Sequence, residues 1–198
     1  MATVCIRGGG AAASAEWAAA RESSSDETLI RRIAAGDQSA MRALFARYRV
    51  KVYRWLLCLV DDEALAEDLL SEVFLDVWRH AASFEARSSL STWLLAIARY
   101  KALSARRHRT DAELDEATVS TVPDTANDPE VTLQKNRAEA LRQSLPRLSP
   151  EHREVIDLAY YHGKSVKEIA EIVSISEATV KTRMFYARRK LAELVETT

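Results

Sequence analysis

The stretch from Thr110 to Asn127, TDAELDEATVSTVPDTAN, constrains the fold of this chain more than any other. It lacks the apolar repeat of a packed helix, contains Pro123, and lies in a run from Thr110 to Glu130 that carries seven acids and no Lys or Arg. Such a segment reads as a flexible acidic linker over 110–128, so the chain divides into two domains.

Both sides of the linker are helical in pattern. The first 23 or so residues are Ala-, Gly- and Ser-rich without a sustained period, and read as a disordered tail. Order is expected from Ser24, which with Glu27 makes a capping box, and Gly36 gives a stop. Helices are predicted at about Glu27 to Ala35, Gln38 to Leu59, Glu63 to Arg79 and Leu90 to Arg107. Beyond the linker they are predicted at about Pro129 to Ser144, Pro150 to His162, Val166 to Val173 and Glu177 to Val195. Ser149 with Pro150, Ser165 and Ser176 mark helix starts, and Gly163 marks an end. No segment alternates as a strand does, so the fold class is all-α: a domain over 24–109 and a second over 129–198.

Composition excludes several functions. With 198 residues and 47% hydrophobic content, two small cores can be built. No run approaches the roughly 18 apolar residues of a membrane span, and the start of the chain lacks the basic and apolar regions of an export signal. A cytoplasmic protein without membrane insertion is expected. Cys5 and Cys58 suggest neither a disulfide framework nor a zinc site, and Cys58 in RWLLCLV reads as a buried thiol. His80, His108, His152 and His162 lack metal-ligand spacing, Gly8 to Gly10 is no phosphate loop, and no nucleophile is recognisable. Neither enzyme activity nor a metal or cofactor is expected.

The net charge of -1 conceals strong segregation, because Ile97 to Arg109 carries five Lys or Arg and no acid. A second basic segment lies near the end of the chain. SVKEIAEIVSISEATVKTRMFYARRKL reads as a short helix, a turn of about three residues and a longer helix, the layout of a helix-turn-helix. At 100° per residue, Val180, Met184, Ala187 and Leu191 share one stripe of the longer helix. Lys181, Thr182, Phe185, Arg188 and Arg189 lie opposite, with Tyr186 at the margin. That arc has the chemistry of a DNA major-groove surface: cations for phosphates and guanine edges, Thr and Phe for methyl and sugar contacts. A solvated basic helix is the plainer reading; the preceding helix and tight turn favour DNA.

These residues resemble region 4 of bacterial sigma factors of the extracytoplasmic-function type, through Glu168-Ile169-Ala170, Thr179-Val180-Lys181-Thr182-Arg183 and Ala187-Arg188. The first half agrees. Ala66, Leu69, Leu70, Val73, Phe74 and Val77 form an apolar helix face, with Asp68, Glu72, Asp76 and Leu75 opposite. Ala66 to Phe74, AEDLLSEVF, resembles sigma region 2.2, which docks on core RNA polymerase; Ser71 stands where the family has Gln. By that resemblance Asp68, Ser71, Glu72 and Leu75 bind polymerase. SFEARSSLSTWLLAIARYKALSARRHR resembles regions 2.3 and 2.4, which open the -10 element and capture an unstacked base. Tyr100 and Ser104 replace the usual Asn and Asp.

The resemblance runs from about Asp26 to Leu194. It implies that Trp93, Arg99, Lys101, Arg106 and Arg107 meet -10 DNA, and that Lys181, Thr182, Phe185, Tyr186, Arg188 and Arg189 meet the -35 element. Core polymerase, promoter DNA and an anti-sigma factor are the implied partners. A conventional helix-turn-helix regulator is the alternative, and it would bind palindromic duplex DNA alone.

Overall fold

The computed structural model describes residues 25–113 and 147–196. The expected tail over 1–23, most of the expected linker and the helix expected at Pro129 to Ser144 lie outside the described residues. Within them the elements are α1 (Asp26–Ala34), α2 (Gln38–Val60), α3 (Glu63–His80), a 3-10 turn (Ala81–Ser83), α4 (Leu90–Glu113), α5 (Pro150–Tyr160), α6 (Val166–Val173) and α7 (Glu177–Glu196). No strand occurs among the described residues.

Short polar side chains set the helix starts, because the first N–H groups of a helix need acceptors. The Asp37 carboxylate accepts from Ser39 N at 2.8 Å and Ala40 N at 3.2 Å to begin α2. It also receives Arg32 of α1 at 2.6 Å, joining the two helices. Asp62 accepts from Leu65 N at 3.0 Å to begin α3 and takes an ion pair from Arg109 of α4 at 2.9 Å. The cap of α1 is Ser25, accepting from Thr28 N at 3.2 Å, rather than the expected Ser24. Gly36 follows at φ +85°, a left-handed conformation that a side chain would strain.

In the first unit α2 packs between α3 and α4. Trp55, fully buried, donates its indole N–H to the Leu95 carbonyl at 3.1 Å, so α2 and α4 share a hydrogen bond inside their apolar contact. The buried stripe of α4 is Leu90, Leu94, Leu95, Ala98 and Ala102. The sequence reads with Trp93, Leu94, Ile97 and Leu103 as the buried stripe of this helix, and of these four Leu94 is buried. Trp93, Ile97 and Leu103 are half-buried, whereas the two alanines are fully buried. The same helix runs to Glu113, past the expected end near Arg107, with Asp62 drawing Arg109 back onto α3.

The second unit, α5 to α7, packs directly on the first. One apolar cluster joins Trp55, Leu95, Ala98 and Ala102 to Val155, Leu158, Ile169, Ile172, Val173 and Val180. A smaller cluster of Leu148, Ile156, Ala187 and Leu191 ties α5 to α7. Cys58 is packed against the larger cluster, and burial pushes its thiol up to about 12, with the Asp157 charge adding to the effect.

Two outcomes follow from this packing. Trp55→Ala should cost about 3–5 kcal/mol in urea unfolding, and a loss below about 1 kcal/mol would show that the site collapses around the missing ring. Iodoacetamide should alkylate Cys58 at neutral pH only after unfolding; rapid reaction of the native protein would contradict the buried, protonated thiol.

Candidate nucleic-acid interface and docking face

The helix-turn-helix is built by reciprocal caps. Ser165 Oγ accepts from Glu168 N at 3.3 Å while the Glu168 carboxylate accepts from Ser165 N at 3.0 Å, starting α6. Ser174, at φ +58°, turns the chain, and Ser176 Oγ accepts from Thr179 N at 3.1 Å to start α7. Val180, Ala187, Leu191 and Leu194 are buried, and Met184 is half-buried. This orientation leaves Lys181, Thr182, Phe185, Tyr186, Arg188 and Arg189 all on exposed surface. Phe185 is 63% exposed and meets Tyr186 edge-on, an unusual exposure for two adjacent aromatic rings.

Tyr160 belongs with this face, although the helical pattern gave no sign of it. Arg188 Nε donates to the Tyr160 hydroxyl at 2.9 Å, and the guanidinium carbon lies 5.6 Å from the ring. This fixes one edge of Arg188 while the two terminal nitrogens remain to meet an acceptor pair. The signal available in sequence was the exposed Tyr160-Tyr161 pair at the end of α5.

On α3, Asp68, Ser71, Glu72 and Leu75 are all exposed, Leu75 by 45%. Phe45 of α2, 38% exposed, packs edge-on to the buried Phe74 at 4.9 Å. Lys101 of α4 pairs with Asp76 at 2.9 Å and Glu72 at 3.2 Å. The hydrogen bond to Asp76 raises the Lys101 ammonium above its usual range, partial burial opposes this, and Glu72 adds to the rise.

The remaining cationic residues of α4 do not form one open patch. Arg99 pairs with Glu154 of α5 at 3.1 Å, both side chains largely buried. Burial pushes the Glu154 carboxyl up, and Arg99 opposes the shift. Trp93 is half-buried against Phe84, with ring centroids 5.1 Å apart. Arg106 and Arg107 line an open groove of about 620 Å³ with Arg99, Tyr100 and Leu103 on α4 and Ile172 and Ser174 opposite.

Lys164, just before α6, reaches Thr92 Oγ1 and Glu168 Oε1, each at 2.9 Å, and Ser89 Oγ at 3.2 Å. Thr92 in turn donates to Glu168 at 2.9 Å. Partial burial pushes the Glu168 carboxyl up, but hydrogen bonds from Lys164, Ser165 and Thr92 prevail and bring it down to about 2. Its folded value lies below the ordinary 4.5, so its stabilising contribution is complete above about pH 4.5 and is lost as pH falls toward 2.

Comparison with known proteins agrees with this arrangement. Residues 44–111 match the family described as Sigma-70 region 2, and residues 138–191 match Sigma-70, region 4. The chain is 34% identical over 160 residues to the ECF RNA polymerase sigma factor SigL of Mycobacterium tuberculosis, covering 80% of this chain and 90% of that one. It is 28% identical over 182 residues to SigK of Mycobacterium bovis, covering 89% and 96%. Among solved structures it is similar to CnrH in complex with the cytosolic domain of CnrY, with TM-score 0.62, 25% identity, and 87% and 97% coverage. The sigma factor RpoE in complex with the anti-sigma factor NepR from Bartonella quintana gives TM-score 0.65, 26% identity, and 78% and 96% coverage.

The geometry of α7 separates two kinds of contact. Lys181→Ala should weaken duplex binding almost uniformly across sequences and reduce the salt slope by about one. Tyr160→Phe, which keeps the ring but removes the acceptor for Arg188, should weaken binding by about fivefold, the equivalent of one ordinary hydrogen bond. Unchanged binding in fluorescence anisotropy would remove Tyr160 from the interface.

Proposed function

Because this chain belongs to the sigma-70 family as an extracytoplasmic-function sigma factor, a protein that binds core RNA polymerase and directs promoter-specific initiation, we propose residue roles on that footing. Asp68, Ser71, Glu72 and Leu75 dock α3 on the largest polymerase subunits, with Phe45 extending the apolar contact. The exposed arc of α7 reads the -35 element through Lys181, Thr182, Phe185, Tyr186, Arg188 and Arg189. Trp93, Arg99, Lys101, Arg106 and Arg107 serve the opened -10 strand.

The single observation that carries the reading is the order of the two matched regions, each presenting the surface its role requires. An acidic face around Leu75 suits a basic helical partner, where charge guides encounter and the apolar centre supplies contact. A cationic arc interleaved with aromatic side chains suits duplex DNA. Catalysis on this reading belongs to the polymerase, and the chain works in the cytoplasm. Among the described residues no helix is long and apolar enough to cross a membrane. An anti-sigma factor is the regulatory partner that the relatives' complexes suggest.

Co-elution with bacterial core RNA polymerase tests the docking face. An Asp68→Lys, Leu75→Ala variant is preferred over changes at Glu72, whose carboxylate also pairs with Lys101. The wild type should co-elute and the folded variant should lose at least about tenfold in affinity, or roughly 1.4 kcal/mol. Retained binding by the variant would move the docking face elsewhere. A wild type that ignores core polymerase yet binds a palindromic duplex tightly would make the chain a conventional regulator.

A further inference from the structure

We propose that the outward side of α2 is a docking surface for an acidic amphipathic helix of a partner protein. It uses residues to which the sigma reading gives no role.

α2 is apolar on two sides. Its buried residues, among them Leu44, Tyr48, Val52 and Trp55, form the side that packs between α3 and α4. At 100° per residue a second apolar line runs along the opposite side: Ala43, Ala46, Val50, Tyr53 and Leu57. The spacing alternates three and four, as at the a and d positions of a heptad, which a second helix meets knobs-into-holes. Ala43, Ala46 and Val50 are exposed, Val50 by 55%, while Tyr53 and Leu57 are half-buried. The alanines alone would serve helix propensity, but Val50 is β-branched and brings no such benefit to a solvated surface.

The flanking charges specify the kind of helix that fits. α2 carries five Lys or Arg and no acid. Arg42 and Arg49 run along one edge of the apolar line, at g positions, and Arg47 and Arg54 along the other, at e positions; all four are exposed. Arg47 pairs with Asp26 at 2.7 Å, and Arg54 lies 3.6 Å from the Tyr161 ring centroid. Arg42 and Arg49 meet no acid among the described residues. A helix laid on the line would set its own e and g residues against these arginines, and glutamate there completes the pairs that fix partner and register.

A second copy of this chain is a poor occupant, because in either direction arginine would face arginine. Nucleic acid would engage the arginines and leave the apolar line without a partner. Arg42 to Leu57 spans about 24 Å, room for about four helical turns, and Ala43 and Ala46 allow close approach of the two axes.

The probe is a fluorescein-labelled peptide of about four heptads, with Leu at a and d and Glu at e and g, read by anisotropy against the full chain. A scrambled peptide of the same composition, with no apolar side, should bind at least about tenfold more weakly. Arg42→Glu with Arg49→Glu should weaken binding of the heptad peptide by about tenfold. Val50→Asn, which leaves the charges alone, should weaken it by about fivefold. Helix content is checked for both variants. Lys181→Ala with Arg188→Ala on α7 should leave peptide binding unchanged, and both α2 variants should still co-elute with core polymerase.

Equal binding of the two peptides would reduce the effect to net charge and overturn the proposal. So would full binding by either α2 variant, or loss only when the α7 cations are removed. An α2 variant that loses core polymerase would make this side part of the polymerase contact. One that loses single-stranded or duplex DNA while keeping the peptide would make it a nucleic-acid surface, and either result also overturns the proposal. A wild type that binds the heptad peptide but not core polymerase would strike the sigma reading and leave this surface standing.

Discussion

Everything in this structure depends on how closely other helices can approach α4. Ala98 and Ala102 are fully buried, and they leave room on α4 that Leu or Ile would have filled. α2 uses that closeness to reach the Leu95 carbonyl with the Trp55 indole, and α6 joins the same cluster through Ile169, Ile172 and Val173. One helix thus belongs to the core of the first unit and forms the floor on which the second rests.

The two basic segments, similar in sequence, are deployed differently. On α7, Lys181, Arg188 and Arg189 stand on exposed surface, and the acid that meets Arg189 and Lys190 is Glu193 of the same helix. Exposed pairs of that kind are weak and easily exchanged. On α4, Arg99, Lys101 and Arg109 each answer to an acid from another helix: Glu154, the Glu72 and Asp76 pair, and Asp62. The cationic arc of α7 is therefore presented to solvent ready-made, and much of the charge on α4 is already committed to holding the fold.

Local signals were legible in the sequence because they act within one helical turn. The Ser165 cap, the Gly36 and Gly163 stops and the outward arc of α7 all lie within a few residues of the features that reveal them. The closely packed stripe of α4 was harder, since alanine carries little hydrophobic weight and yet marks the nearest approach of helices. Contacts joining distant positions left no periodic trace. Arg99 meets Glu154 across 55 residues, Thr92 meets Glu168 across 76, and Arg188 meets Tyr160 across 28. Nothing in a helical wheel distinguishes an arginine held by a remote carboxylate from one turned to water, so the pattern could nominate α4 cations without showing their partners.

Glu168 carries two obligations that cannot be adjusted separately. One carboxylate oxygen accepts from Ser165 and starts α6, while the other accepts from Thr92 and Lys164 across the seam between the units. Any replacement that loosens the seam at this position also frays the short helix on which α7 packs. Lys164 lies outside α6 and has no part in the reciprocal cap. Variation in how firmly α6 is tied to the start of α4 is thus channelled toward the lysine and the loop serines, while the glutamate stays bound to the helix it starts.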